Sequence, residues 1–155
     1  IDKEGFYQLP GVGITGIKSY HDDCGGALRG ENIIYKFGMD GLEICHLGDL
    51  GEECSSELLE MILPVNILLI PVGGTYTIDA ERAKEYVDRT MPEIVIPMHY
   101  KTRSLTLDLD KADVFLNLFD DEETEISQKN TLEFSRDDLT EEKTKIILME
   151  RMKIK

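Results

Sequence analysis

NILLIPVGGTYTIDAERAKEYVDRTMPEIVIPMHY, residues 66–100, is the stretch whose reading decides the fold. Ile67 to Val72 is a short apolar run bounded by turn residues, as expected of a strand buried on both faces. Gly73 and Gly74 break it, and Thr77 or Asp79 is placed to cap a helix. In that helix Ala80, Ala83 and Val87 recur at helical spacing, while Glu81, Arg82, Lys84 and Glu85 take the wet side. Pro92 ends it, and Ile94, Val95 and Ile96 form a second apolar strand. Strand, helix and strand within about 30 residues predict a βαβ unit with two parallel strands. The unit delivers His99 just past the carboxyl end of a strand, the edge at which open parallel sheets place ligands.

Outward from this centre, Val12 to Tyr20 alternates as a strand and runs directly into His21, followed by the loop Asp22-Asp23-Cys24-Gly25-Gly26. Asn32–Phe37 and Leu42–Leu47 flank the turn Gly38-Met39-Asp40-Gly41 and predict a hairpin. Gly48-Asp49-Leu50-Gly51 forms the next loop. Ser55 or Ser56 caps a helix with a stripe of Leu58, Leu59, Ile62 and Leu63, which Pro64 stops. Beyond Tyr100, Lys101–Leu109 reads as a loop, and Asp110 opens a helix carrying Ala112, Phe115, Leu116 and Phe119. Thr131–Phe134 and Thr144–Met149 read as late strands, whereas Ile1 to Pro10 has no clear period. The expected architecture is one α/β domain over residues 1–155 with a mixed sheet.

Composition narrows the function. Seventeen Lys and Arg against 31 Asp and Glu leave a net charge of −14, which argues against nucleic acid and an anionic membrane surface as partners. The acid concentrates at Asp120, Asp121, Glu122, Glu123 and Glu125, then Asp137, Asp138, Glu141 and Glu142, where a solvated surface is expected. Three sparse cysteines do not make a disulfide framework, so a reducing cytoplasm is the expected compartment. The first residue is Ile rather than Met, which points to a piece of something longer.

His21, Asp49 and His99 each stand just past a predicted strand. With those strand ends on one edge, two imidazoles and a carboxylate converge, a donor set that zinc, iron or manganese accepts. The backbone N–H groups of Gly73, Gly74 and Thr75 are candidates for holding an oxyanion. His46 lies within a strand on the face of Leu42 and Ile44, and reads as a hydrogen-bonded core histidine or a support for the site rather than a ligand. Asp22 and Asp23 either orient His21 or face water, and water is the expectation. A zinc site built on Cys24 or Cys54 lacks a paired C-x-x-C and is set aside.

Four stretches carry a likeness: SYHDD at Ser19–Asp23, HLGDLG at His46–Gly51, LLIPVGGTYTIDA at Leu68–Ala80 and IPMHY at Ile96–Tyr100. In this order the chain resembles the metallo-β-lactamase superfamily, closest to the branch of small metal-dependent hydrolases that includes L-ascorbate-6-phosphate lactonase. The resemblance implies an αββα sandwich with a two-metal site. It implies that His21 binds one metal, Asp49 bridges two and serves catalysis, and His99 binds the second. The family's H-x-H-x-D-H motif is absent, so the chain resembles the C-terminal half of such a fold. A lone half leaves an apolar face, which we expect to be covered by a missing N-terminal segment or by a second copy of the chain. Two functions follow. In full-length form the protein is a metal-dependent hydrolase of a small-molecule ester, lactone or phosphoester. Alternatively, the chain is a non-catalytic half-domain that self-associates and holds metal weakly or not at all.

Overall fold

A computed structural model describes residues 1–139 and 143–150. Among these, eight strands form one mixed sheet. The first four make an antiparallel meander: β1 (Gly5–Leu9), β2 (Val12–Tyr20), β3 (Glu31–Met39) and β4 (Leu42–His46). Helix α1 (Ser56–Ile62) then leads to β5 (Ile67–Pro71), which lies parallel to β4. Helix α2 (Ala80–Thr90) crosses to β6 (Ile94–Met98), parallel to β5, which completes the predicted βαβ unit. After α3 (Ala112–Leu116), β7 (Thr124–Ile126) and β8 (Lys145–Leu148) finish the sheet in the order β1-β2-β3-β4-β5-β6-β8-β7.

The helices start where the side chains dictate. Ser55 Oγ accepts the Leu58 N–H at 3.1 Å, and Asp79 Oδ1 accepts the Arg82 N–H at 2.9 Å, each satisfying a donor that a helix start leaves open. Helix α2 buries Ala80, Ala83, Tyr86, Val87 and Thr90 against the sheet. Tyr86 is fully buried, and its hydroxyl finds the Glu53 carbonyl at 3.0 Å.

Alternation sorts the strands into two apolar layers. Cys45, Leu47, Leu68, Ile70, Val72 and Val95 face the helices together with Leu58, Ile62 and Phe115. Leu42, Ile67, Ile94 and Ile147 face the other way. Segment 131–139 crosses this second face and lays Leu132, Phe134 and Leu139 on it. Thr131–Phe134 is therefore not a strand: its alternating Leu132 and Phe134 dock on a sheet face instead of pairing at an edge. The edge is taken by β7, parallel to β8, within the acidic run. Glu125 pairs there with Lys145, and Glu123 Oε2 accepts the Asp120 N–H at 2.9 Å, so those two carboxylates are half-buried rather than free in solvent. Asp120, Asp121, Glu122, Asp137 and Asp138 are exposed as expected, and Glu141 and Glu142 lie outside the described residues.

Strand β1 is exposed along nearly its whole length and is held by pairing with β2, which is why no hydrophobic period marks it. Helix α3 is shorter than the Asp110–Phe119 reading. Lys111 is its N-cap without a side-chain bond, and Phe119 packs edge-on against Phe115 from beyond its end. No helix among the described residues is long and apolar enough to cross a membrane.

Candidate functional site

Topology brings the expected side chains to one edge. Strand β2 is antiparallel to β3, and β3 to β4, so β2 runs the same way as β4, β5 and β6. The carboxyl ends of all four, and with them His21, Asp49, Gly73 and His99, lie on the same rim of the sheet.

The rim loops are stitched to one another. Gly51 N–H donates to the Tyr20 carbonyl at 2.9 Å, Ile78 N–H to Leu50 at 2.9 Å, and Asp110 N–H to Gly73 at 2.8 Å. Two glycines make this contact possible. A β-carbon at position 51 would stand 2.5 Å from the His21 carbonyl carbon, and one at 73 would stand 2.0 Å from the His99 carbonyl oxygen. Only hydrogen fits at either place. His99 itself adopts φ +52, a left-handed conformation that a non-glycine residue takes only where its surroundings impose it.

Within the rim, His99 Nδ1 stands 3.2 Å from Asp49 Oδ1, both side chains open to solvent. His46 is half-buried beside them, with its Nδ1 accepting the Gly48 N–H at 3.0 Å. Burial and the nearby His99 ring lower its pKa below the ordinary histidine value, against a smaller opposing pull from Asp49. His21 is half-buried on the neighbouring loop, its N–H tied to the Gly30 carbonyl at 3.1 Å. Among the described residues no three His, Cys, Asp or Glu side chains converge as one metal-binding group. The rim thus brings Asp49 and His99 together, with His21 on the adjoining loop.

A carboxylate and an imidazole suit a divalent ion in kind. Two such donors on a tetrahedral ion, at about 2.0–2.1 Å each, stand about 3.3–3.4 Å apart, close to the spacing of this pair. In number they fall short, since a catalytic zinc takes about three protein ligands. The donor set fits one side of a metal site.

The remaining candidates fall into place around the pair. Gly74 N–H already donates to the Ile78 carbonyl at 3.2 Å, so of the three oxyanion candidates it has its donor engaged. Gly73 is buried, while Thr75 is exposed at φ +58 with its carbonyl accepting from Arg29 at 2.9 Å. Burial pushes the Cys45 and Cys54 thiols up to about 12 and about 11, which makes them packing groups rather than thiolate ligands.

Asp22 does not face water. It is 2% exposed, and its carboxylate accepts the N–H groups of Cys24, Gly26, Leu28 and Arg29 at 2.7–3.0 Å. Burial alone would raise its pKa, but these bonds outweigh it and hold the carboxyl well below the usual range. Asn32, which in the sequence looks like an ordinary strand residue, ties β2, β3 and the end of β4 together at the rim. It donates to Ser19 Oγ at 2.8 Å and to the Leu47 carbonyl at 2.9 Å, and accepts the Asp49 N–H at 2.9 Å. The only hint in the sequence is a polar amide at the mouth of an apolar strand.

Comparison with known proteins places this rim in a family. A family model described as "Beta-lactamase superfamily domain" matches residues 1–99, which hold His21, Asp49 and His99. A crystal structure from Thermotoga maritima, of a candidate Zn-dependent hydrolase of the metallo-β-lactamase superfamily, superposes with a TM-score of 0.83 at 39% identity. That match covers 96% of this chain and 70% of the other. A UPF0173 metal-dependent hydrolase of Thermococcus onnurineus is 33% identical over 97 residues, 61% of this chain and 43% of its own length. One of Thermoplasma volcanium is 33% identical over 114 residues, 73% of this chain and 49% of its own. The matched stretch thus spans less than half the length of these two curated relatives. Sheet, rim and matched residues agree, and the chain belongs to the metallo-β-lactamase superfamily.

Proposed function

We propose that the protein, in its full-length form, is a metal-dependent hydrolase of an ester, lactone or phosphoester bond in a small molecule, and that Asp49 and His99 hold the metal with His21 contributing from its own loop. The observation that carries this reading is the 3.2 Å approach of Asp49 to His99 at the carboxyl rim. Relatives named metal-dependent hydrolases support it. A divalent ion at such a rim supplies Lewis acidity toward the scissile group. The chain's own part is to hold two donors at a fixed spacing, to brace them with Gly51 and Gly73, and to offer backbone donors at Gly73 and Thr75 to developing negative charge. Zinc is our first choice of ion, ahead of manganese or iron, in a two-metal arrangement, and the lactonase-like branch is our choice of substrate class. We assign residues 1–155 to one domain. We place it in a reducing cytoplasm, in keeping with three free cysteines. We also assign the sheet face opposite the helices to contact with further polypeptide, from a longer parent or a second copy.

A second reading rests on one observation, the absence of a three-donor cluster among the described residues. On that reading the chain is a non-catalytic unit with weak metal affinity.

Metal content after dialysis against zinc, together with turnover of p-nitrophenyl acetate, a simple lactone and bis-p-nitrophenyl phosphate, separates the two. We expect turnover that needs the metal and drops at least about 100-fold in Asp49→Asn and His99→Ala. Turnover indifferent to both substitutions overturns the hydrolase assignment. Absence of both metal and turnover selects the second reading.

A further inference from the structure

The turn that carries Asp49 is held by two side chains to which the proposed function gives no role. Past His46 the chain continues the sheet for one residue, the Leu47 N–H donating to the Leu69 carbonyl at 3.0 Å, and then turns sharply at Gly48, φ +63. The two peptide N–H groups that follow are each taken by a side chain. His46 Nδ1 accepts the Gly48 N–H at 3.0 Å, and Asn32 Oδ1 accepts the Asp49 N–H at 2.9 Å. Asn32 also donates to the Leu47 carbonyl at 2.9 Å, so one amide grips the turn on both sides of Gly48. The amide is itself braced: Nδ2 reaches Ser19 Oγ at 2.8 Å, and Ser19, 1% exposed, donates back to the Asn32 carbonyl at 3.3 Å. A β-carbon at position 48 would stand 2.5 Å from Asn32 Oδ1, so the amide occupies the space that glycine leaves.

A free turn of this kind would let the Asp49 carboxylate sweep through several rotamers and backbone states, because the side chain is exposed to solvent with the His99 ring on one side. We propose that His46 and Asn32 are positioning residues that clamp the Leu47–Asp49 turn and so aim the Asp49 carboxylate at His99. Because Nδ1 of His46 is an acceptor, the neutral ring carries its proton on Nε2. His46 therefore serves the rim as a fixed scaffold, not as a ligand through Nδ1. The value of the clamp to a metal site rests on the function proposed above, but the clamp itself does not.

The test uses the full 155-residue chain, labelled with 15N, as wild type, His46→Ala, His46→Asn and Asn32→Ala. The asparagine at position 46 keeps an acceptor where Nδ1 stands. Amide hydrogen exchange is followed by NMR, and zinc alone is titrated by calorimetry. We expect Gly48 exchange to accelerate about 10-fold or more in His46→Ala, and Asp49 exchange likewise in Asn32→Ala, with β5 amides unchanged. His46→Asn restores Gly48 protection. The wild-type imidazole 15N shifts show an unprotonated Nδ1 and a protonated Nε2. Zinc affinity falls about 10- to 100-fold in both alanine variants and recovers to within about threefold in His46→Asn. Unchanged exchange in both alanine variants overturns the proposal, as does a His46→Asn protein that behaves like His46→Ala. If the wild-type chain takes up no zinc, the assignment of Asp49 as a ligand falls and exchange alone decides the clamp. If His46→Ala does not fold, Gly48 protection in His46→Asn supports the clamp and its loss overturns it.

Discussion

Asp22 shows how far one side chain can organise the rim. Its carboxylate takes the N–H groups of Cys24, Gly26, Leu28 and Arg29, gathering four donors onto one buried anion. Asp22→Asn keeps the shape but substitutes an amide, which turns one acceptor into a donor facing N–H groups. We expect a melting temperature lower by several degrees and faster amide exchange confined to residues 22–30. The pH dependence has a definite sign. The folded carboxyl sits below the unfolded value of about 3.9, so its contribution is complete above about pH 4 and is lost as pH falls through the folded value. Below the isoelectric point of about 4.5 the whole chain also gathers net positive charge and repels itself, so the informative quantity is the difference between proteins. Wild type should lose more stability than Asp22→Asn between about pH 4 and pH 2, and equal losses would remove Asp22 as a source of acid sensitivity. Gly73→Ala is the other single-atom test. With the His99 carbonyl oxygen 2.0 Å from the new carbon, β5 and the His99 loop must separate. We expect a loss of about 2 kcal/mol or more in urea unfolding, accompanied by loss of the Asp49–His99 approach.

At the scale of elements, what could be read from sequence depended on whether an element's pattern is dictated by burial. Strands β5 and β6 are apolar on both faces, and α2 buries one stripe, so their patterns are clear and their limits close to expectation. Strand β1 buries almost nothing and β7 is three residues long, so pairing alone defines them and no pattern announces them. Thr131–Phe134 misleads for the converse reason, since period two marks any extended segment with one apolar side, whether it pairs or lies across a face. The strand-end positions of Asp49 and His99 were legible because a parallel sheet brings carboxyl ends together. Asn32 was not, because its partners depend on the register of β2, β3 and β4 at once. Asp22 was not, because four donors within seven residues leave no trace in composition. The helix caps belong to this scale too. Asp79→Ala removes the acceptor for the Arg82 N–H and should cost about 1 kcal/mol in urea unfolding with an unchanged m-value. An effect below a few tenths would mean that water replaces the cap fully.

For the whole molecule, the two faces of the sheet differ in how they are closed. Helices seal one, where Leu68, Ile70 and Val95 are fully buried. The other carries Ile44, Leu69 and Ile96 only half-buried, beneath segment 131–139. Between that segment and the sheet lies an apolar cavity of about 420 Å³, walled by Leu42, Ile44, Leu69, Ile96, Leu132 and Phe134. The chain thus supplies part of the cover that a bare apolar face demands, anchored by Arg136 to the buried Glu93 at 2.9 Å. Phe134 is the broadest side chain in this cover. Phe134→Ala deletes a ring that is only half-buried, so the loss should fall below the usual 3–5 kcal/mol for a core phenylalanine, at about 1–3 kcal/mol. The same change opens the face to solvent, and binding of a fluorescent apolar dye should rise with it. If stability and dye binding both stay at wild-type values, segment 131–139 is not what shields the sheet. If stability falls while dye binding does not, the half-buried row from Ile44 to Ile96 is covered by a second copy of the chain, and the sedimentation coefficient in dilute solution will be that of a dimer.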